Sequence, residues 1–397
     1  METGKIRTTC LRVPAVYMRG GTSKGLFFHE KDLPQDTASR NALILAAYGS
    51  PDPNGRQLDG MGGGTSVTSK VAIIRPAKSP GHDVEYLFGQ VSIDRPLVSY
   101  KGNCGNLSSA VGPFAIDEGI LEVREPVTTV RILQLNTGKT ILAEVPVQGG
   151  KYNPKGGYSI DGVPGTGSKI TLRFLDPGGS VTGQLLPTGN ALDTWKVDGV
   201  GKLDLSILDA GNPVVFVRAV DLGLQGTEIE EIDRNEELKG KLEAIRAEAA
   251  VRLGFAKGRS EASQRSQAVP KIALVAAPKT YSTLLGSTVR KQSIHLLVRM
   301  MSMGNLHRAY AVTGAICTAA AAMTEGSVVQ QALGKRMEKA GKIILGHPSG
   351  RMEIEPLMKE KDGRREYLEA RLGRTARRLM EGWVLVPETR IPGIRPR

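Results

Sequence analysis

The chain has 397 residues, 40% hydrophobic and 23% charged, with 48 glycines, a turn-rich globular composition long enough for two cores rather than one. Fifty-three Lys and Arg against 40 Asp and Glu leave a net charge of +13. The basic residues are dispersed except at 371–378 and 392–397, and aromatic residues make up only 5%, which points to steering of small anions and away from a nucleic-acid surface.

Cys10, Cys104 and Cys317 have no metal-type spacing and form no disulfide framework. Residues 1–12 are polar and charged, and the longest apolar run, near 311–323, is too short to span a bilayer. A soluble, cytoplasmic protein is expected.

Residues 13–17 read as an apolar strand running into Met18-Arg19-Gly20-Gly21-Thr22-Ser23-Lys24-Gly25 and then Leu26, Phe27 and Phe28. Backbone N–H groups and hydroxyls in such a loop can approach an anion. A tight hairpin with a basic tip fits the same residues. It is neither a Walker loop nor a dinucleotide fingerprint. A helix over 36–47 and a turn over 50–55 follow. The second glycine loop, Asp59-Gly60-Met61-Gly62-Gly63-Gly64-Thr65-Ser66-Val67-Thr68-Ser69-Lys70, opens into a strand over 71–74. If Lys70 enters a cleft, desolvation lowers its pKa towards that of a useful base. A solvated lysine at a strand edge is the other reading.

Residues 89–100 read as a strand and 107–116 as a buried helix of small residues, so Cys104 stands just ahead of a helix start. Unpaired N–H groups there favour a thiolate or a substrate carboxylate; an inert cysteine in a tight turn is the alternative. Strands over 128–135 and 140–147 flank the hairpin turn Asn136-Thr137-Gly138-Lys139. After a strand over 169–175, Asp176-Pro177-Gly178-Gly179 marks a domain boundary.

The second half echoes the first. A strand over 202–208, the turn Asp209-Ala210-Gly211-Asn212-Pro213 and a strand over 214–217 precede an amphipathic helix over 228–253 and a strand over 271–276. Ser302-Met303-Gly304 with His307 then leads into a small-residue helix over 311–323. Gly346-His347-Pro348-Ser349-Gly350 reads as a polar loop and 377–387 as a last strand.

Taken together, the Met18–Gly25 segment, Asp59-Gly60-Met61-Gly62-Gly63, Thr68-Ser69-Lys70, Gly102-Asn103-Cys104-Gly105-Asn106, Ser302-Met303-Gly304 with His307, and the Gly346–Gly350 segment resemble the PrpF family. The resemblance runs from about Val13 to Val386 and lies nearest its methylaconitate branch. It implies an α+β, diaminopimelate epimerase-like fold: two pseudo-symmetric domains, each a curled mixed sheet around a central helix. The expected domains are 1–183, with a strand from 378–397 returning to it, and 184–377. By resemblance, Lys70 takes the catalytic lysine position and Cys104 the active-site cysteine position. A second thiol is absent, because the second helix is expected to start at Ser302-Met303-Gly304 while Cys317 lies inside it.

The implied activity is a cofactor-independent, metal-free double-bond shift or cis-trans isomerisation of an unsaturated tricarboxylate. The candidates are 2-methylaconitate or aconitate, with methylitaconate and 4-oxalomesaconate as alternatives, in the setting of the 2-methylcitrate cycle and propionate catabolism. Neutral Lys70 is expected to remove an allylic proton and return it across the allyl system, with Lys24 and Arg19 helping to hold its pKa down. Arg19, Thr22, Ser23, Lys24, Ser69, Asn103, Gly105, Asn106, Ser108, Asn212, Ser302, Met303, Gly304 and Ser349 are the candidate substrate contacts. His307 and His347 are rim candidates, His347 also reading as structural. A homodimer and a functional link to an aconitase-type dehydratase are expected, with no nucleic-acid or membrane partner. The competing readings are a non-enzymatic accessory to that dehydratase and, more weakly, a Cys-His hydrolase.

Overall fold

In the computed structural model, residues 10–333, 341–361 and 364–391 are described; the polar start and the basic tail lie outside them. Alternation along the first strands sets up two cores. β1 (Cys10–Gly20) and β2 (Ser23–His29) form a hairpin closed at Gly20 and Ser23. Leu26 and Phe28 face helix α1 (Thr37–Tyr48), while Phe27 faces the opposite core. Asp36 caps α1 by accepting from the Ser39 N–H. The crossover through α1 delivers β3 (Lys70–Pro76) parallel to β2, with Lys70 opposite Gly25, and β4 (Val84–Val91) returns antiparallel, with Gln90 opposite Lys70.

The sheet continues through β5 (Val98–Ser99), β6 (Val127–Gln134), β7 (Lys139–Gln148), β8 (Lys151–Tyr152) and β9 (Ile170–Leu175). It curls around α2 (Gly105–Ser108) and α3 (Val111–Asp117), which bury Leu107, Val111 and Phe114.

The second half repeats this skeleton. After β10 (Asp193–Val197), the hairpin β11 (Gly201–Ala210) and β12 (Asn212–Arg218) closes at Ala210 and Asn212. Three helices, α4 (Glu230–Arg234), α5 (Glu236–Arg252) and α6 (Arg259–Arg265), cross over to β13 (Lys271–Ala276), which lies parallel to β12 with Lys271 opposite Val214. Beyond the small ribbon β14 (Tyr281–Ser282) and β15 (Thr288–Val289), β16 (Leu296–Ser302) runs antiparallel to β13 and turns back as β17 (Asn305–Leu306). Leu205, Ile207, Val215 and Val217 pack on α5. The opposite face packs on α7 (Val312–Ala322), every residue of which is buried, and α8 (Val328–Leu333) flanks it.

The halves are stitched by the chain's end. Strand β19 (Gly350–Lys361) pairs with β18 (Ile343–His347) through its first residues and with β20 (Arg364–Arg374) through the rest. β20 also pairs with β9, and β21 (Ala376–Pro387) runs the length of β1. The first sheet therefore takes in the part of β19 from Glu355 on, together with β20 and β21. Among the described residues no helix is long and apolar enough to cross a membrane.

Several local expectations are corrected. Residues 89–100 are not one strand, because β4 stops at Val91 and only Val98–Ser99 resumes pairing. The helix expected over 107–116 breaks between Ser108 and Val111, where Pro113 removes the donor that would bond Ser109 in a continuous helix. The helix expected over 228–253 breaks at Asn235, which caps α5 through the Leu238 N–H. Gly346-His347-Pro348-Ser349-Gly350 is a hairpin turn inside a strand pair. Ser302-Met303-Gly304 is not a helix start either. Met303 and Gly304, at φ +53° and +82°, form a two-residue hairpin tip, and the helix begins ten residues on at Val312.

Candidate functional site: two lysines where the halves meet

Lys70 is placed by its backbone. Its carbonyl accepts from the Tyr48 hydroxyl, which also accepts from the Leu26 N–H. That carbonyl lies so close to Gly25 that a Cβ there would sit 1.8 Å from it, which explains the glycine ending the first loop. The residue is 7% exposed. Nζ donates to Gln90 Oε1 at 2.6 Å and lies 5.2 Å from the Phe88 ring centre. Gln90 is held in that orientation because its Nε2 donates to the Ser69 and Ser66 carbonyls at 2.9 and 3.1 Å. The ammonium therefore has a neutral amide partner. Burial lowers the Lys70 pKa, opposed by the charge the Cys104 thiolate would carry.

Cys104 caps α2. Its Sγ accepts from the Leu107 N–H at 3.4 Å and lies 3.8 Å from Ser23 Oγ. Asn106, one residue into the helix, accepts from Arg374 Nε at 3.2 Å and from the Thr22 N–H at 3.3 Å. Burial pulls Arg374 down to about 10.

The second half answers element by element. Asn212 opens β12 as Ser23 opens β2; Lys271 opens β13 as Lys70 opens β3. One register step beyond Ile272 and Met301 sets Ser302 across from Lys271, as Gln90 lies across from Lys70. Ala311 caps α7 where Cys104 caps α2. The two helix starts touch, since a Cβ on Gly105 would come 2.5 Å from Val312 Cγ1. Asn212 Nδ2 donates to Thr313 Oγ1 at 2.9 Å within the second half and ties the halves by donating to the Asn103 carbonyl at 3.2 Å. Asn103 Nδ2 returns a bond to the Gly211 carbonyl at 2.9 Å.

Ser23, Lys70, Gln90, Cys104, Asn212, Lys271, Ser302 and His307 line one narrow cleft of about 30 Å³. Among the described residues no Asp or Glu lines it. Burial and then the Lys70 charge draw Lys271 down to about 8. His307 is pushed to about 3 by burial, Lys70 and Lys271 in that order. Its Nδ1 accepts from the Ala309 N–H at 3.1 Å, so the neutral ring carries its proton on Nε2. His307 is thus a cleft-wall donor and not a rim residue.

Asn103, Gly105 and Asn106 also face the cleft. Other expected contacts are occupied elsewhere. Lys24 turns away from Ser23 and stacks on Tyr17, and Arg19 Nη1 donates to the Gly21 and Thr375 carbonyls. Neither is the cation coupled to Lys70; that cation is Lys271. Ser69 Oγ donates to Gln57, and Ser108 Oγ to the Cys104 carbonyl. Met303 and Gly304 form the hairpin tip. Thr22 and Ser349 flank Gly162 away from the cleft, and His347 is buried with Nδ1 accepting from the Ser349 N–H. Cys317 is buried mid-helix, donating to the Leu208 carbonyl.

Lys271, Gln90, Phe88 and Arg374 were absent from the expected set. One sequence signal carried Lys271: Lys70-Val71-Ala72-Ile73 and Lys271-Ile272-Ala273-Leu274 are the same pattern at corresponding places. A wider groove of about 830 Å³ beside α1 holds Asp59 and Arg390 paired to one another at the surface, and no buried reactive group.

A family model described as PrpF protein matches residues 10–387. The chain is 43% identical over 390 residues to 2-methyl-aconitate isomerase of Shewanella oneidensis, covering 95% of this chain and 98% of that one. It is 44% identical over 383 residues to 3-methylitaconate isomerase of Eubacterium barkeri, with 96% and 99% covered. A solved methylitaconate-delta-isomerase superposes with a TM-score of 0.76 at 43% identity, over 97% of this chain and 98% of that one. A hydroxyproline epimerase, at 14% identity and TM-score 0.54 over 95% and 93% of the two chains, shares the fold. The architecture is α+β and diaminopimelate epimerase-like.

Proposed function

Because the chain belongs to the PrpF family and is an isomerase, we propose that it moves a double bond, or its geometry, in an unsaturated tricarboxylate by proton transfer through Lys70. 2-Methylaconitate and aconitate are the first candidates; 4-oxalomesaconate and methylitaconate, the latter a dicarboxylate, are the next. The observation that carries this reading is the Lys70 environment: a buried amine, bonded to a neutral amide, in a cleft lined by lysines and N–H donors.

The chemistry follows from that environment. Neutral Lys70 Nζ takes the allylic proton, and the electron pair of the broken C–H bond spreads over three carbons into the conjugated carboxylate. The resulting ammonium returns a proton to the far carbon, closing the shifted double bond and regenerating the amine. The developing charge needs fixed donors. We assign that part to His307 Nε2–H and to the opening N–H groups of α2 and α7, whose residues line the cleft. One base suffices when both carbons lie on its side of the substrate, so Cys104 acts by orienting and packing. We infer a cytoplasmic role beside an aconitase-type dehydratase, in the 2-methylcitrate cycle of propionate catabolism, if 2-methylaconitate is the preferred acid.

The test offers 2-methylaconitate, trans-aconitate, methylitaconate and 4-oxalomesaconate separately to the purified chain, following enoate absorbance. Turnover of at least one, lost in a folded Lys70→Ala variant, is expected. No turnover of any, or normal turnover by the variant, contradicts the reading.

A further inference from the structure

We propose that Lys271 is a second working lysine of this cleft, holding a substrate carboxylate as an ammonium from the second half and keeping Lys70 in its amine form by charge repulsion. The inference rests on the isomerase reading above and deepens it, assigning a partner to the base and a polyanionic requirement to the substrate.

Placement comes first. Lys271 occupies in β13 the register position that Lys70 occupies in β3, and both side chains line the same cleft. The segment before it packs against the loop that carries Cys104, since a Cβ on Gly102 would come 3.1 Å from Val269 Cγ2. Lys271 is half-buried, and among the described residues it has no hydrogen-bond or ion-pair partner. Such a cation is satisfied by a ligand or by water, and here it faces the place a polycarboxylate must occupy.

Division of labour comes next. Two ammonium groups in one poorly hydrated cleft oppose each other, so one releases its proton first and the pair titrates as a unit. Lys271, drawn to about 8, is still mostly an ammonium at neutral pH, and the amine is assigned to Lys70, the more deeply buried of the two. The groups acting on Lys271 are Lys70 and Arg246, which oppose its charge, and the Cys104 thiol, which in its anionic form favours it. His307, which feels both lysines, stays neutral. A bound polyanion reinforces the arrangement by pairing with the ammonium that remains.

The experiment uses the full chain, with Lys271→Met and Lys271→Arg beside Lys70→Ala, and the saturated tricarboxylate tricarballylate as a binding probe. Lys271→Met is expected to weaken tricarballylate binding by about 10- to 100-fold in calorimetry and to lower kcat/KM by about 100-fold. It is also expected to move the acidic limb of the pH–kcat/KM profile to higher pH, because Lys70 no longer feels a neighbouring positive charge. Lys271→Arg keeps the charge, so tricarballylate binding and the limb return towards wild type. Lys271→Met with unchanged tricarballylate affinity and an unmoved limb overturns the inference while leaving the isomerase reading intact, provided Lys70→Ala is inactive. Normal turnover by Lys70→Ala overturns both.

Discussion

The two strand–crossover–strand units share a backbone plan and differ in what they hang on it. In the first, Lys70 is sealed under Phe88, bonded to Gln90 and adjacent to Cys104. In the second, Lys271 is half-buried, stands across from Ser302 and shares the cleft with Ala311 and Asn212. The register places both amines at the cleft, and the side chains around each decide which becomes the base. On the assignment proposed above, asymmetry of burial within a near-symmetric frame separates a proton carrier from a fixed charge.

The largest effect breaks the first unit. Lys70→Ala is expected to lower kcat by about 10²–10⁴-fold, the usual range for losing a general base, in steady-state turnover by a variant of unchanged circular dichroism. Next comes Gln90→Leu, which removes the amide accepting from the Lys70 ammonium and leaves the Ser69 and Ser66 carbonyls short of a donor. Denaturant titration should show a loss of about 1–3 kcal/mol. Because the bond favoured the charged amine, the acidic limb of kcat/KM moves to lower pH, opposite to the shift for Lys271→Met.

Gly105→Ala sharpens the comparison from the backbone side. The new methyl meets Val312 where the helix starts touch, so a stability loss of about 1–3 kcal/mol and a raised KM with little change in kcat are expected. Cys104→Ser should cost less than Lys70→Ala, about 10-fold or under in kcat, if the thiol only orients; an equal loss would indicate a second acid/base. The smallest effect concerns stability. Folding pulls the Lys271 pKa from 10.5 to about 8, so the unfolded chain binds the proton more tightly between those values and wild-type stability rises with pH through that window. Ligand-free Lys271→Met, lacking this penalty, should be the more stable below pH 8, and its advantage in thermal midpoint should fade by pH 10.5.

What was legible in the sequence is what local pattern encodes. Lys70 at the junction of a glycine loop and an apolar strand, and Cys104 ahead of a small-residue helix, declare themselves within a dozen residues. Asn212 does so through its Gly-Asn-Pro turn. Lys271 was harder, because its partner strand ends at Arg218 and the three helices of the crossover intervene; a parallel register is a non-local fact. Gln90 hid in a strand whose sequence reads simply as apolar. The hairpin tip at Met303 escaped because methionine rarely adopts positive φ, so nothing marked the turn except the following glycine. Lys24 and Ser108 make their contacts elsewhere for a shared reason: neighbours along a strand or helix point different ways, and motif membership does not say which residues face the cleft.

The central claim is that Lys70 carries the proton, and turnover of the preferred acid in D2O, followed by proton NMR, tests it most directly. Wild type should yield product bearing deuterium at the receiving carbon with part of the original hydrogen retained, and Lys70→Ala should yield no labelled product above the enzyme-free blank. Labelled product forming in Lys70→Ala at the wild-type rate would contradict the account.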